Sequence, residues 1–158
     1  NYPMYYVNYD EALEFCRRLS NATGRTYTLP TEAQWEYAAR GGNGATTYTF
    51  SGSNSIDDVA WCSENSKGSI HRVKGKAPNQ LGLYDMSGNV WEWCLDGYED
   101  SYYSYIADAY CEPSSSKYVL RGGSWDCNAW NCRVANRERG TRTYRNGFRG
   151  FRVVVNPE

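Results

Sequence analysis

The residues that could do chemistry fall into three groups. The first is six cysteines, at positions 16, 62, 94, 111, 127 and 132, with a single histidine, His71. Their spacing fits no zinc pattern and one histidine cannot complete such a site. Cys16 falls on an apolar helical face, where a thiol acts as a small buried hydrophobe. Pairing among Cys62, Cys94 and Cys111 stays open, and the redox compartment with it. The second group is a pair of carboxylates, Asp85 and Glu92, inside Gly82-Leu-Tyr-Asp-Met-Ser-Gly-Asn-Val-Trp-Glu-Trp-Cys94; taken alone, they cap turns or pair with distant Arg. The third is a tail with seven Arg between 133 and 152 and Glu138 as its only acid. Such Arg are read first as stacked on aromatics or paired with carboxylates elsewhere, and second as an anion-binding surface. There is no Gly-rich phosphate cradle, no Ser/His/Asp arrangement and no Cys-x-x-Cys pair.

The elements that must position these groups follow from periodicity and capping. Asn8 with Glu11 three residues on reads as a capping box, followed by Ala12, Leu13, Phe15, Cys16 and Leu19 at helical spacing, ending near 21–24. Tyr27 to Leu29 reads as a short strand. Thr31 and Gln34 form a second capping box that opens a helix through Trp35, Ala38 and Ala39, stopped by Gly41 and Gly42. Residues 43–69 read as long loops carrying a buried Ala60-Trp61, and 96–113 as a polar aromatic loop. Strands are expected at 118–120 and 151–155. The result is an α+β domain with two helices, short mostly antiparallel strands and long loops.

At 158 residues the chain is one domain by size, able to bury its own core. A net charge of -1 gives no electrostatic footprint for nucleic acid. No apolar run approaches the roughly 20 residues of a transmembrane segment. Asn1 reads as an internal start. Tyr and Trp are abundant, at 15 and 6, which suits loops packed by aromatics that keep a polar handle.

Several separated stretches together resemble the formylglycine-generating enzyme (sulfatase-modifying factor) family, which has the C-type lectin fold. They are Val7–Cys16, Leu29–Gly42, Gly82–Trp93, Arg121-Gly-Gly-Ser-Trp125, Arg133-Val-Ala-Asn-Arg137 and Gly150-Phe-Arg152. The resemblance spans 1–158 as a single domain and implies N-terminal strands preceding Asn1. It also implies a structural Ca2+ held by Asp85, Gly88, Val90 and Glu92, and oxygen donors in an irregular loop suit that ion. The family includes a copper-dependent oxidase that makes formylglycine from a substrate cysteine. Its two copper-binding cysteines would map to Cys127 and Cys132, soft thiolates suited to Cu(I). Cys132, however, abuts Arg133, which is the place of a core cysteine in non-enzymatic relatives. A lectin-type sugar site is not supported, because Glu112-Pro113-Ser114 departs from the motif it needs.

Within that family the tail resembles the variable proteins of diversity-generating retroelements, which diversify a C-terminal segment, here 121–152. Arg121 to Trp125, Ala129, Asn131 to Arg137, Arg145 and Gly150 to Arg152 match the fixed parts. Asp126, Cys127, Asn128, Arg139, Gly140, Thr141, Tyr144, Asn146, Gly147 and Phe148 stand where the template would carry Asn. Adenine mutagenesis of an Asn codon reaches all ten, but not Trp130 or Glu138. The resemblance implies a non-catalytic display protein, secreted, at the cell surface or phage-borne, that binds a protein or other macromolecular ligand. Asp126, Cys127, Asn128, Trp130, Glu138, Arg139, Thr141, Tyr144, Asn146 and Phe148 are expected to form the binding face. Trp130, Tyr144 and Phe148 would be large anchors of low rotamer entropy, and the polar residues adaptable contacts.

Overall fold

The computed structural model describes residues 1–44, 47–100 and 117–155. Helix α1 spans Tyr9–Thr23 and opens on the expected capping box: Asn8 Oδ1 accepts from the Glu11 amide at 3.0 Å and Glu11 Oε2 from the Asn8 amide at 2.9 Å. Gly24 closes it at a φ of 74°, a left-handed turn that costs glycine nothing. Tyr9, Ala12 and Cys16 face the core, whereas Phe15 is half exposed and edges onto Phe151. Strand β1 (Tyr27–Thr28) leads into helix α2 (Glu32–Ala39), capped by Thr31 and Gln34 as expected. Residues 43–69 are less irregular than their composition suggests, since a one-turn helix α3 (Ile56–Val59) runs into strand β2 (Ala60–Trp61).

Strand β2 pairs in parallel with β3 (Ser87–Gly88). The central sheet contains β4 (Trp91–Gly97), β5 (Lys117–Arg121), β6 (Arg137–Thr141) and β7 (Arg149–Gly150), in the order β6-β5-β4-β7. Neighbours β4–β5 and β5–β6 are antiparallel and β4–β7 is parallel. Strand β8 (Val154–Val155) closes back on β1. Three sequence boundaries are therefore corrected. Asp96 and Gly97 belong to β4 and not to a loop, the expected strand over 151–155 narrows to Val154–Val155, and the Arg-rich tail itself supplies β6 and β7. Residues 101–113 of the expected aromatic loop, with Cys111 and Glu112-Pro113, lie outside the described residues, as does Ser114.

The two central strands are buried on both faces, and the two-residue period of a strand sorts their side chains. Trp91, Trp93, Tyr118 and Leu120 join Tyr9, Ala12, Cys16 and Leu29 beneath α1. Cys94 and Val119 join Trp35, Ala39, Met86 and Val134 beneath α2. Tyr9 stacks on Tyr118 with centroids 3.8 Å apart and meets Trp93 edge-on. Strand β6 has no apolar alternation of its own. It is held as an edge by five residue pairs with β5, and at Gly140 an added Cβ would lie 2.4 Å from the Trp93 ring.

Candidate ligand-binding face

The tail is fixed first by ion pairs that reach across the sheet to α2 and β4. Glu32, fully buried on the first turn of α2, takes Arg137 on both oxygens at 2.6 and 2.9 Å and lies 3.5 Å from Arg121. Arg121, also fully buried, pairs with Glu36 and donates to the Asn136 carbonyl at 2.9 Å. Glu92 on β4 accepts from Trp35 Nε1 at 2.6 Å and from Arg152 at 2.6 and 2.7 Å. Burying a charge is costly unless it is paired and hydrogen-bonded in this way. Gly122 and Gly123 turn the chain at φ values of 96° and 79°, close against Trp35 and Cys132, where a side chain would clash.

Two outward loops rise from this frame. The first carries residues 126–133. Ser63 N–H donates to the Cys127 carbonyl at 2.8 Å, Ala129 N–H to Glu64 at 3.2 Å, and Asn128 Oδ1 accepts from the Asn131 amide at 3.3 Å. These bonds hold a short 3-10 turn over Ala129–Cys132 that lifts Trp130 to 65% exposure. Arg133 lies over the indole at 3.4 Å and donates Nε–H to the Trp130 carbonyl at 2.9 Å. The second loop, 141–148, is pinned to the start of α1: Tyr9 N–H donates to the Arg142 carbonyl at 3.1 Å, Arg142 pairs with Asp10 at 2.6 Å, and Arg145 pairs with Glu11 at 2.6 Å. Tyr144 at its turn is 57% exposed.

Of the residues expected on the face, Asp126, Asn128, Trp130, Glu138, Arg139, Thr141 and Tyr144 are at least partly exposed and Cys127 is half-buried. Asn146 is a correction, and Phe148 is half-buried like Cys127. Asn146 is buried and its Oδ1 accepts from the Phe148 amide at 3.3 Å, while Phe148 packs against the α1 core. Both are turned in because the chain here is already returning to the sheet, with the Phe148 carbonyl accepting from Trp91 N–H at 2.8 Å. Sequence reasoning missed the support residues Glu64 and Arg133. Only Arg133 left a signal, its placement three residues after Trp130.

The two cysteines mapped to copper are divided between environments. Cys132 is fully buried in an apolar cluster with Phe50, Val59 and Cys62, whereas Cys127 packs from the edge against the α1 core and meets Ser124 Oγ at 3.1 Å. Burial pushes both thiols up, and at Cys132 the nearby Cys62 and Cys127 sulfurs add to the effect. A copper ion would have to displace a proton from each thiol, and no third His, Cys, Asp or Glu converges on the pair among the described residues. For calcium, Asp85 and Glu92 line one cavity of about 430 Å3 with Tyr84, Asn89, Val90 and Arg152. Asp85 sits at a φ of 56°, its Oδ2 accepting from the Lys74 amide at 2.8 Å, and burial pushes its carboxyl up, with the Glu92 charge adding to the effect. The oxygens suit a hard cation, but Glu92 would have to share its carboxylate with Arg152. No group of three or more His, Cys, Asp or Glu converges on a metal position among the described residues.

A mixed sheet packed against two capped helices and joined by long connections defines a C-type lectin-fold domain of the formylglycine-generating-enzyme type. The chain belongs to the sulfatase-modifying factor enzyme 1-like domain family, whose model matches residues 1–157. It is 34% identical over 172 residues to the formylglycine-generating enzyme of Streptomyces coelicolor, covering 98% of this chain and 52% of that protein. The chain thus spans about half the length of this curated relative. Among solved structures it resembles Treponema denticola variable protein 1, with a TM-score of 0.87 and 32% identity over 99% of this chain and 72% of that one. It also resembles PvdO from Pseudomonas aeruginosa, with a TM-score of 0.88 and 30% identity over 99% of this chain and 62% of that one.

Proposed function

We propose that the chain is a non-catalytic display domain, a retroelement-diversified variable protein whose face over residues 126–144 binds a macromolecular ligand. The observation that carries this reading is the pair of large aromatics, Trp130 and Tyr144, held 65% and 57% exposed on loops with pinned backbones. Burying such rings on a partner stabilises a complex at small entropic cost, because the protein has already fixed the loops that carry them. The likeness to a variable protein supports the same reading. The oxidase alternative needs Cys127 and Cys132 as converging thiolates, and the full burial of Cys132 in an apolar cluster weighs against it.

Two experiments test the proposal. At the DNA level, a second, adenine-rich copy of the segment encoding 121–152 should lie beside a reverse transcriptase gene; a locus without one removes the diversification half of the reading. At the protein level, a partner is selected from an array of purified surface proteins. Trp130→Ala and Tyr144→Ala should each weaken its binding by about 2 kcal/mol, near 30-fold, as anchors do. Wild-type affinity in both variants would defeat the binding face.

Calcium held by Asp85, Glu92 and the carbonyls of Gly88 and Val90 is a separate part of the proposal, supported by two carboxylates on the wall of one cavity. Added calcium should raise the unfolding temperature of wild-type protein and leave Asp85→Asn unchanged. An equal response in the two, or none in either, refutes the site.

A further inference from the structure

Most of the tail arginines have a carboxylate partner. Arg137 is taken by Glu32, Arg142 by Asp10, Arg145 by Glu11 and Arg152 by Glu92, while Arg139 reaches Asp100 at 3.8 Å. Arg133 donates to a carbonyl and stacks on Trp130. Arg149 differs. Its Nε and Nη1 are shielded from solvent and have no acceptor among the described residues. The guanidinium lies between the rings of Tyr144, at 5.1 Å, and Trp93, at 5.4 Å, and burial pulls its pKa down. Glu138 is near enough for its charge to be felt there, but its Oε1 accepts from the Arg139 amide at 2.8 Å.

Buried donors without acceptors are rare and costly, and one in a binding surface calls for an explanation. Arg149 lies on β7, paired through the sheet to β4, so its backbone is part of the rigid frame. Tyr144, which covers it, is mostly exposed on a turn, so its ring can swing away without disturbing the core. We propose that Arg149 is a carboxylate-receiving position under the display face, and that the ligand docks by inserting an acidic side chain beside Tyr144. This deepens the ligand-binding reading above and rests on it.

The geometry favours a single carboxylate on a protein over a polyanion. A guanidinium with open Nε–H and Nη1–H donors beside two aromatic rings suits a carboxylate on an apolar stem, taken by a single charge-assisted hydrogen bond. A nucleic-acid strand laid along the face would also meet Asp126 and the exposed Glu138, and the chain as a whole carries a net charge of -1.

Phenylacetate, a carboxylate on an aromatic stem, is the probe, with phenylacetamide as its uncharged counterpart. In 15N-labelled protein, phenylacetate should shift the Arg149 Nε–H signal and the Tyr144 ring signals saturably. Phenylacetamide should bind about tenfold more weakly, the difference between a charged and a neutral acceptor. Arg149→Gln should abolish the acid's preference over the amide, and Tyr144→Ala, which removes one of the two neighbouring rings, should weaken both probes while leaving the acid preferred. The second variant keeps Arg149 and so tests the inference even if the first fails to fold. Equal binding of acid and amide, no saturable shift, or tighter binding of a single-stranded oligonucleotide would overturn the inference. That failure is separable from failure of the display reading, which is decided by Trp130→Ala and Tyr144→Ala against a selected partner.

Discussion

Of the tryptophans that carry an arginine over their ring, Trp35 and Trp130 form pairs that do opposite things. Trp35 is 1% exposed, donates its Nε1–H to Glu92 at 2.6 Å, and lies 5.3 Å from the guanidinium of Arg121, which is itself held by Glu32 and Glu36. Trp130 is 65% exposed, and Arg133 over it is satisfied within the same short turn. Residue type does not separate them. What separates them is the number of partners drawn from distant parts of the chain: Trp35 ties α2 to β4 and, through Arg121, to β5, while Trp130 is tied only to its own loop. The first arrangement cannot vary one residue without unsatisfying several. The second can.

The largest break in that comparison should come at Glu32. Removing it leaves Arg137, which is 10% exposed, and Arg121, which is fully buried, short of a carboxylate. Glu32→Ala should therefore cost about 3–5 kcal/mol, the usual loss when one member of a buried ion pair goes. Trp130→Ala should cost under about 1 kcal/mol, the worth of an exposed cation–π stack and some packing. Urea unfolding of the two variants beside wild type measures both. A Glu32 variant with a wild-type midpoint, or a Trp130 variant that loses several kcal/mol, would erase the distinction between frame and face.

The frame is far more legible in the sequence than the face. Capping boxes at Asn8 and Thr31 are local chemistry, so both helices start where the residues say. Trp93 and Cys94 alternate between the two faces of a strand long enough to show a period. β2, β3, β7 and β8 are two residues long, and no periodicity exists at that length. β6, Arg-Glu-Arg-Gly-Thr, is an edge whose pairing comes from β5 and from the room Gly140 leaves for Trp93, neither of which is written in its own composition. Asn146 and Phe148 share the chemistry of the outward residues, and their types alone place them on the same face. Only the return of the chain to Trp91 turns them inward. Arg149 is invisible in the sequence for a related reason: its lack of acceptors is a property of what surrounds it.

The thiols give a gentler test of the same division, read in rates and not in stability. Cys16, Cys62, Cys94 and Cys132 are buried and Cys127 is half-buried. Burial pushes every one of them up, Cys62 to about 11 with the Glu64 side chain contributing, while at Cys127 the Ser124 hydroxyl works in the opposite direction. The thiolate is the nucleophile, so a raised pKa slows alkylation near neutral pH, and the rate climbs until pH passes the shifted value. In a Cys111→Ser background, iodoacetamide should label Cys127 first, at a rate still rising beyond the ordinary thiol value of about 8.5. The other four should react no faster than the protein opens. Peptide mass spectrometry over time assigns each site. If Cys132 is labelled as fast as Cys127, the two sulfurs are presented together, the boundary between frame and face fails at that point, and the copper pair regains its claim.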